Sequence, residues 1–64
     1  MLVQVTEVIG ESTEDWTDAL QNAVVSASKS INGITGVEVV NWSAVVDKGN
    51  ITKYKVDCKV AFVQ

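Results

Sequence analysis

The segment from Gly36 to Phe62, GVEVVNWSAVVDKGNITKYKVDCKVAF, holds most of the strand-forming residues of the chain. β-Branched and aromatic residues of this kind favour strands, and the sequence DKGN at 47–50 supplies turn-forming residues between the two halves. The segment therefore predicts a β-hairpin with arms of about eleven residues, or roughly 35 Å. The rest of the chain is too short to cover such a hairpin, so we expect further copies of the chain to cover the remainder.

The alternation of residue types along the hairpin predicts two different faces. Pairing the arms across a four-residue loop puts Glu38 opposite Lys59 and Trp42 opposite Lys55. The expected apolar face, which should pack on a helix, consists of Val37, Val39, Val45, Tyr54, Val56, Cys58, Val60 and Phe62. The expected mixed face consists of Glu38, Val40, Trp42, Ala44, Val46, Lys53, Lys55, Asp57, Lys59 and Ala61. Its apolar strip predicts a surface for a protein partner.

The amino-terminal half of the chain predicts a strand followed by a helix. Residues 2–9 are rich in β-branched side chains and end at Gly10. Ser12 and Asp15 have the spacing of a capping box. An apolar stripe at three- and four-residue steps then predicts a helix of about eighteen residues. Asn32-Gly33 is expected to end that helix through a left-handed cap.

These elements predict a single α+β domain over residues 1–64. The first two strands run parallel when a helix connects them, and the third strand returns between them. The result is a β-α-β-β unit in which a three-stranded antiparallel sheet of order 1-3-2 curls around one helix, with a right-handed crossover.

Composition narrows the range of functions. The 64 residues carry a net charge of −3, which argues against nucleic-acid binding. One cysteine and no histidine exclude an intrachain disulfide and the usual zinc site. No apolar run is long enough to cross a bilayer, and the single thiol favours a cytoplasmic location. A chain of this size is marginally stable alone, so self-association is expected.

The order and spacing of several segments resemble the dodecins, small β-α-β-β proteins that assemble as hollow homododecamers. The resemblance runs through Val8-Ile9-Gly10, Ser12-Thr13-Glu14, Trp16, the helix alanines, Gly36-Val37-Glu38-Val39, Tyr54 and Val60-Ala61-Phe62. It implies that the protein binds or stores a small ligand and catalyses no reaction.

The chain departs from the flavin-binding dodecins at two positions. Those proteins carry a tryptophan where this chain has Gly36, and a polar amide where it has Lys55. Glycine offers no ring for stacking, and a lysine only donates hydrogen bonds. The usual flavin pair is therefore not expected. The family also has a branch that lacks this tryptophan and resembles calcium-binding dodecins. Members of that branch carry a tryptophan in the first helical turn, as this chain does at Trp16.

Two groups of residues are candidates for ligand sites. Glu11, Glu14 and Asp18 lie near the start of the helix and offer the oxygen ligands that Ca²⁺ or Mg²⁺ prefers. They also suit the positive end of the helix dipole without any metal. Trp42 and Lys55, together with Gly36, are the second group, because a tryptophan beside a lysine is able to hold a flavin-like ligand.

The alternative for Trp42 is an anchor in a subunit interface, together with Val40, Ala44, Val46 and the Glu38–Lys59 pair. Cys58 is expected to be buried, and no histidine is present to activate it, so we predict no enzyme activity. Three hypotheses remain at this point. In the first, the chain forms a homododecamer that lacks the usual flavin pair and binds divalent cations. In the second, it is a flavin-binding dodecin with an altered site. In the third, it is a purely structural shell.

Overall fold

The computed structural model describes residues 2–64 and has the predicted β-α-β-β order. Its elements are β1 (Val3–Ser12), α1 (Trp16–Ser28), β2 (Ile34–Asp47) and β3 (Asn50–Val63). The sheet has the order β1-β3-β2, and both neighbouring pairs are antiparallel. The predicted fold class and strand order are therefore confirmed. The described part of the chain contains no helix with the length and apolar character needed to cross a bilayer.

Helix α1 has 13 residues, fewer than the eighteen or so that its apolar stripe predicts. Asp15, and not Ser12, is the N-cap, since its carboxylate accepts a hydrogen bond from the Asp18 backbone N–H at 2.7 Å. The helix ends at Ser28, with Lys29 as its C-cap. The Ile31 N–H still donates to the Ala27 carbonyl, which closes the last turn. Gly33, with φ +77°, lies in the loop that leads into β2 rather than at the helix cap.

The core is a thin layer between the helix and the central strand. Its buried apolar residues among 2–64 are Ala19, Ala23, Ala27, Val56, Cys58 and Val60. The alanines bring the helix backbone close to the sheet. β1 does not end at Gly10, as the sequence predicts, but continues to Ser12. A β-carbon at Gly10 would overlap the Ala19 carbonyl oxygen and lie 2.7 Å from the Ala23 β-carbon, so this glycine permits the close approach.

A β-bulge at Val40 changes the predicted faces of β2. Glu38 lies opposite Lys59, as predicted, but the register shifts between Val39 and Asn41. Beyond the bulge Trp42 lies opposite Val56, and Ser43 lies opposite Lys55. The prediction that Trp42 faces Lys55 is therefore wrong, because the extra residue turns every following side chain to the other side.

The same bulge breaks the predicted apolar strip. Trp42 and Ala44 lie on the helix side of the sheet, opposite Val56 and Tyr54. Val45 lies opposite Lys53 and so leaves the helix-facing set. A second irregularity follows between Val45 and Val46. Trp42 and Ala44 therefore do not lie on the mixed face, where the sequence predicts the strip.

The hairpin closes through the two-residue turn Lys48-Gly49 inside the predicted DKGN loop. Both residues have positive φ, +52° and +79°, as the tight turns that match strand twist require. The hairpin accounts for much of the 49 Å length of the molecule, which is only 19 Å and 14 Å across in the other directions.

Candidate functional site

The sheet face opposite the helix, here called the outer face, carries rows of polar residues across its three strands. Because Val56, Cys58 and Val60 point into the core, the alternate residues of β3 point outward. Three rows follow from the register: Glu7, Lys59 and Glu38; Ile9, Asp57 and Asn41; Glu11, Lys55 and Ser43. Acidic and basic side chains thus alternate across this face.

Gly36 lies beside a shallow depression on the outer face. The depression has a volume of about 450 Å³ and is lined by Val5, Gly36, Val37, Glu38, Lys59 and Ala61. A β-carbon built at Gly36 would meet no heavy atom within 4 Å. The floor is mostly apolar, and the Glu38–Lys59 cross-strand pair contributes both signs of charge at its rim. The site has room for a side chain or a ligand group that the glycine does not supply.

One chain does not bring Gly36, Trp42 and Lys55 together. Gly36 lies opposite Ala61, which is six residues beyond Lys55, or about 20 Å along β3. Lys55 is on the outer face, where its ammonium lies 3.9 Å from the Glu11 carboxylate. Trp42 is on the helix side. A site that uses all three residues would have to draw them from different subunits.

Trp42 belongs to an aromatic cluster with Trp16 and Tyr54. The Trp16 ring lies 4.8 Å from the Tyr54 ring and 6.4 Å from the Trp42 ring, both in edge-on geometry. The Trp16 indole N–H also donates to the Ser43 carbonyl at 3.0 Å. Trp42 keeps 51% of its surface exposed. The cluster joins the start of the helix to the hairpin, and one of its rings is open to solvent.

Two of the three candidate metal ligands near the start of the helix have other partners. Glu11 lies 3.5 Å from the Lys53 ammonium, and Asp18 accepts a hydrogen bond from the Ser12 hydroxyl at 2.6 Å. The Ser12 oxygen in turn accepts from the Glu14 backbone N–H. Within residues 2–64 no three acidic, histidine or cysteine side chains are grouped closely enough to hold a metal ion. The arrangement stabilises the turn before the helix.

A carboxyl pair on the outer face, Glu7 and Asp57, is absent from the sequence predictions. The two residues are diagonal neighbours in the β1–β3 register, and Oδ1 of Asp57 is buried without a hydrogen-bond partner in the described chain. The hydrogen bond to Asp57, its negative charge and some desolvation raise the pKa of Glu7, while Lys59 opposes the shift. Finding this pair requires the β1–β3 register, which pattern alone does not provide.

Cys58 lies behind this pair, on the helix side. Its thiol is fully buried, and burial, followed by the charges of Asp57 and Glu7, raises its pKa. The thiol is therefore protonated near neutral pH and is a poor nucleophile.

The family model described as Dodecin matches residues 2–64. The chain belongs to the dodecin family. Among solved structures, dodecin from Streptomyces coelicolor superposes with a TM-score of 0.92 at 30% identity, over 95% of this chain and 87% of that one. Dodecin from Streptomyces davaonensis gives a TM-score of 0.92 at 30% identity, over 95% and 90% of the two chains.

A Thermus thermophilus protein shares the fold at a TM-score of 0.91 and 24% identity, over 95% of this chain and 90% of that one. No protein with a curated description matches the chain significantly. In this dodecin, the Gly36 depression and the exposed ring of Trp42 are two surfaces that are open to a ligand.

Proposed function

We propose that this dodecin is the subunit of a homododecamer that binds and stores a small ligand, performs no reaction, and lacks the usual flavin pair. The observation that carries the proposal is the open depression at Gly36. The dodecin resemblance expects a stacking tryptophan at this position, and the depression leaves its space empty. The lone, buried Cys58 and the absence of histidine support a non-catalytic role, and a cytoplasmic location remains a prediction.

Exposed apolar side chains support self-assembly. Val3, Val5 and Ile9 of β1 are 58–66% exposed, although valine and isoleucine are normally buried. Val46 and Ile51 are exposed near the tip of the hairpin. Apolar surface of this extent favours contacts with other copies. The proposed interface includes Val40, Trp42, Ala44 and Val46, with Glu38 and Lys59 on the outer face. Light scattering should give the mass of a dodecamer rather than 6.9 kDa.

The altered flavin site follows from the chemistry of the two substituted positions. Without a ring at position 36, flavin binding loses a stacking contribution on the order of 1 kcal/mol or more of binding free energy. Lys55 donates hydrogen bonds but accepts none, unlike an amide. It is also held near Glu11. The alternative is a flavin-binding dodecin that uses the exposed ring of Trp42, with Lys55 from another subunit.

Flavin fluorescence tests the proposal directly. The wild-type assembly should quench added flavin mononucleotide only weakly, whereas Gly36→Trp should quench it strongly, because the new ring has open space to occupy. Gly36→Ala is the matched control, since it fills the backbone position without adding a ring. Strong quenching by wild type at stoichiometric protein would contradict the altered site. No gain in an assembled Gly36→Trp variant would show that position 36 does not hold the ligand.

Divalent-cation binding at Glu11, Glu14 and Asp18 is the second candidate function. Its support is the set of oxygen ligands near the helix start and the first-turn tryptophan of the calcium-binding branch. Glu11 and Asp18 have partners within the chain, so a neighbouring subunit would have to complete the shell. Calorimetric titration with Ca²⁺ should then give binding heat that Glu14→Gln weakens and Glu38→Gln leaves unchanged. An absence of heat in wild type would remove this function.

A further inference from the structure

Glu7 and Asp57 are diagonal neighbours on the outer face. The register pairs Glu7 with Lys59 and Ile9 with Asp57, so the two acids lie on adjacent strands, one step apart. Diagonal neighbours on one sheet face are close enough for side chains to interact. A sheet normally places opposite charges at such positions, so this close approach of two acids needs a physical reason.

The buried oxygen of Asp57 supplies that reason. Oδ1 of Asp57 has no hydrogen-bond partner in residues 2–64. A buried carboxylate oxygen without a donor carries a desolvation cost. Two ionised carboxylates only accept hydrogen bonds, whereas a protonated carboxyl donates one. A single proton held by Glu7 would give the pair a donor and remove the repulsion between the two charges.

The charged groups around the pair do not supply another donor to that oxygen. On β3 the flanking lysines are Lys55 and Lys59, and on β1 the next acid on this face is Glu11, which lies near Lys53 and Lys55. Across the sheet, β2 places Asn41 opposite Asp57 and Glu38 opposite Lys59. The helix lies on the other face, as does Cys58. Even with these groups nearby, the Asp57 oxygen has no donor in the folded chain.

We propose that Glu7 and Asp57 share one proton in the folded protein and thereby make its stability depend on pH. The proposal goes beyond ligand binding and does not depend on which ligand the assembly takes. The two carboxyl groups hold the proton between them and need no metal ion or other ligand.

The direction of the pH dependence follows from the raised pKa of Glu7. In the unfolded chain Glu7 ionises near its ordinary pKa, about 4.3. In the folded protein its proton is held more tightly, because the carboxyl group donates to Asp57 and is close to the Asp57 charge. The stabilising contribution is therefore complete below the ordinary pKa and is lost as pH rises through the raised folded value.

The test measures the thermal unfolding midpoint from about pH 4 to about pH 8 at one protein concentration. In Glu7→Gln the amide donates to Asp57 at every pH. We expect this variant to match wild type near pH 4 and to become progressively more stable than wild type as pH rises. Asp57→Asn removes the same repulsion from the other side. Its midpoint relative to wild type should rise over the same interval, whatever its value at low pH.

Asp47→Asn is the matched control, because Asp47 is an exposed acid beside the hairpin turn, away from the carboxyl pair and outside the proposed interface. It replaces a carboxylate with an amide, as Glu7→Gln does, without affecting the carboxyl pair, so its midpoint relative to wild type should not rise with pH. Equal slopes for Glu7→Gln and Asp47→Asn would overturn the proposal, since the effect would then be one of net charge. A flat difference between Glu7→Gln and wild type would overturn it as well.

Discussion

Gly10 lies where the helix comes closest to β1. The position is buried, and any β-carbon there would meet the backbone and the β-carbon of the facing helix rather than a flexible side-chain end. The helix contributes Ala19 and Ala23 at the same level, so no long side chain there can move aside for a β-carbon at position 10. The spacing between helix and sheet therefore depends on one hydrogen atom at position 10.

Replacing Gly10 with alanine should destabilise the fold. Overpacking of a tight contact typically costs about 1–3 kcal/mol, and the rigid neighbours leave little room for relaxation. Denaturant unfolding monitored by tryptophan fluorescence measures the loss. Gly36→Ala is the control, because its β-carbon meets nothing within 4 Å, and it should be neutral or more stable by up to about 1 kcal/mol. Equal effects at the two positions would show that the helix contact at Gly10 is not limiting.

At the scale of elements, the hairpin depends on a turn with an unfavourable residue. Lys48 has φ +52°, a conformation that costs roughly 1–2 kcal/mol for most side chains and less for asparagine. Asn-Gly is also the preferred pair for a two-residue hairpin turn with both φ values positive. The native Lys-Gly pair therefore holds the strand register at some cost in stability.

The substitution Lys48→Asn should stabilise the protein by roughly 0.5–1 kcal/mol. The thermal unfolding midpoint at fixed protein concentration measures the gain. Gly49→Ala should have the opposite effect, since alanine at φ +79° is strained although no neighbouring atom is close. A loss of stability in Lys48→Asn would indicate that the lysine side chain makes a contact in the assembly that outweighs its backbone strain.

The sequence predicts the elements better than their ends and registers. The alternating residues of β3 predict a strand, and the apolar stripe predicts the helix. The strand order then follows from the order of the elements along the chain. The bulge at Val40 accompanies the packing of Trp42 near Trp16, a contact between residues far apart in sequence, so no local pattern predicts it. The pairing of Glu7 with Asp57 depends likewise on the register of β1 against β3. The site predictions that assumed a regular strand were therefore the ones that the structure changed.

At the scale of the whole molecule, the chain is more extended than its length requires. A compact domain of this size has a radius of gyration of about 11 Å, whereas this chain has 13.0 Å. The difference reflects a hairpin whose tip extends past the helix, with Val46 and Ile51 exposed. A thin core and an uncovered tip favour a subunit that reaches its full stability among copies of itself.

The position of β3 in the chain has a consequence for biosynthesis. β3 is the central strand of the sheet, yet the ribosome makes it after β1, the helix and β2. Until residues 50–63 emerge, β1 and β2 have no strand between them and the helix has no Val56, Cys58 or Val60 to pack against. Native pairing of β1 must also span most of the chain, which slows folding. A chain that stops before residue 50 lacks the central strand and half of the buried core residues, so we expect it to stay unfolded and open to proteases.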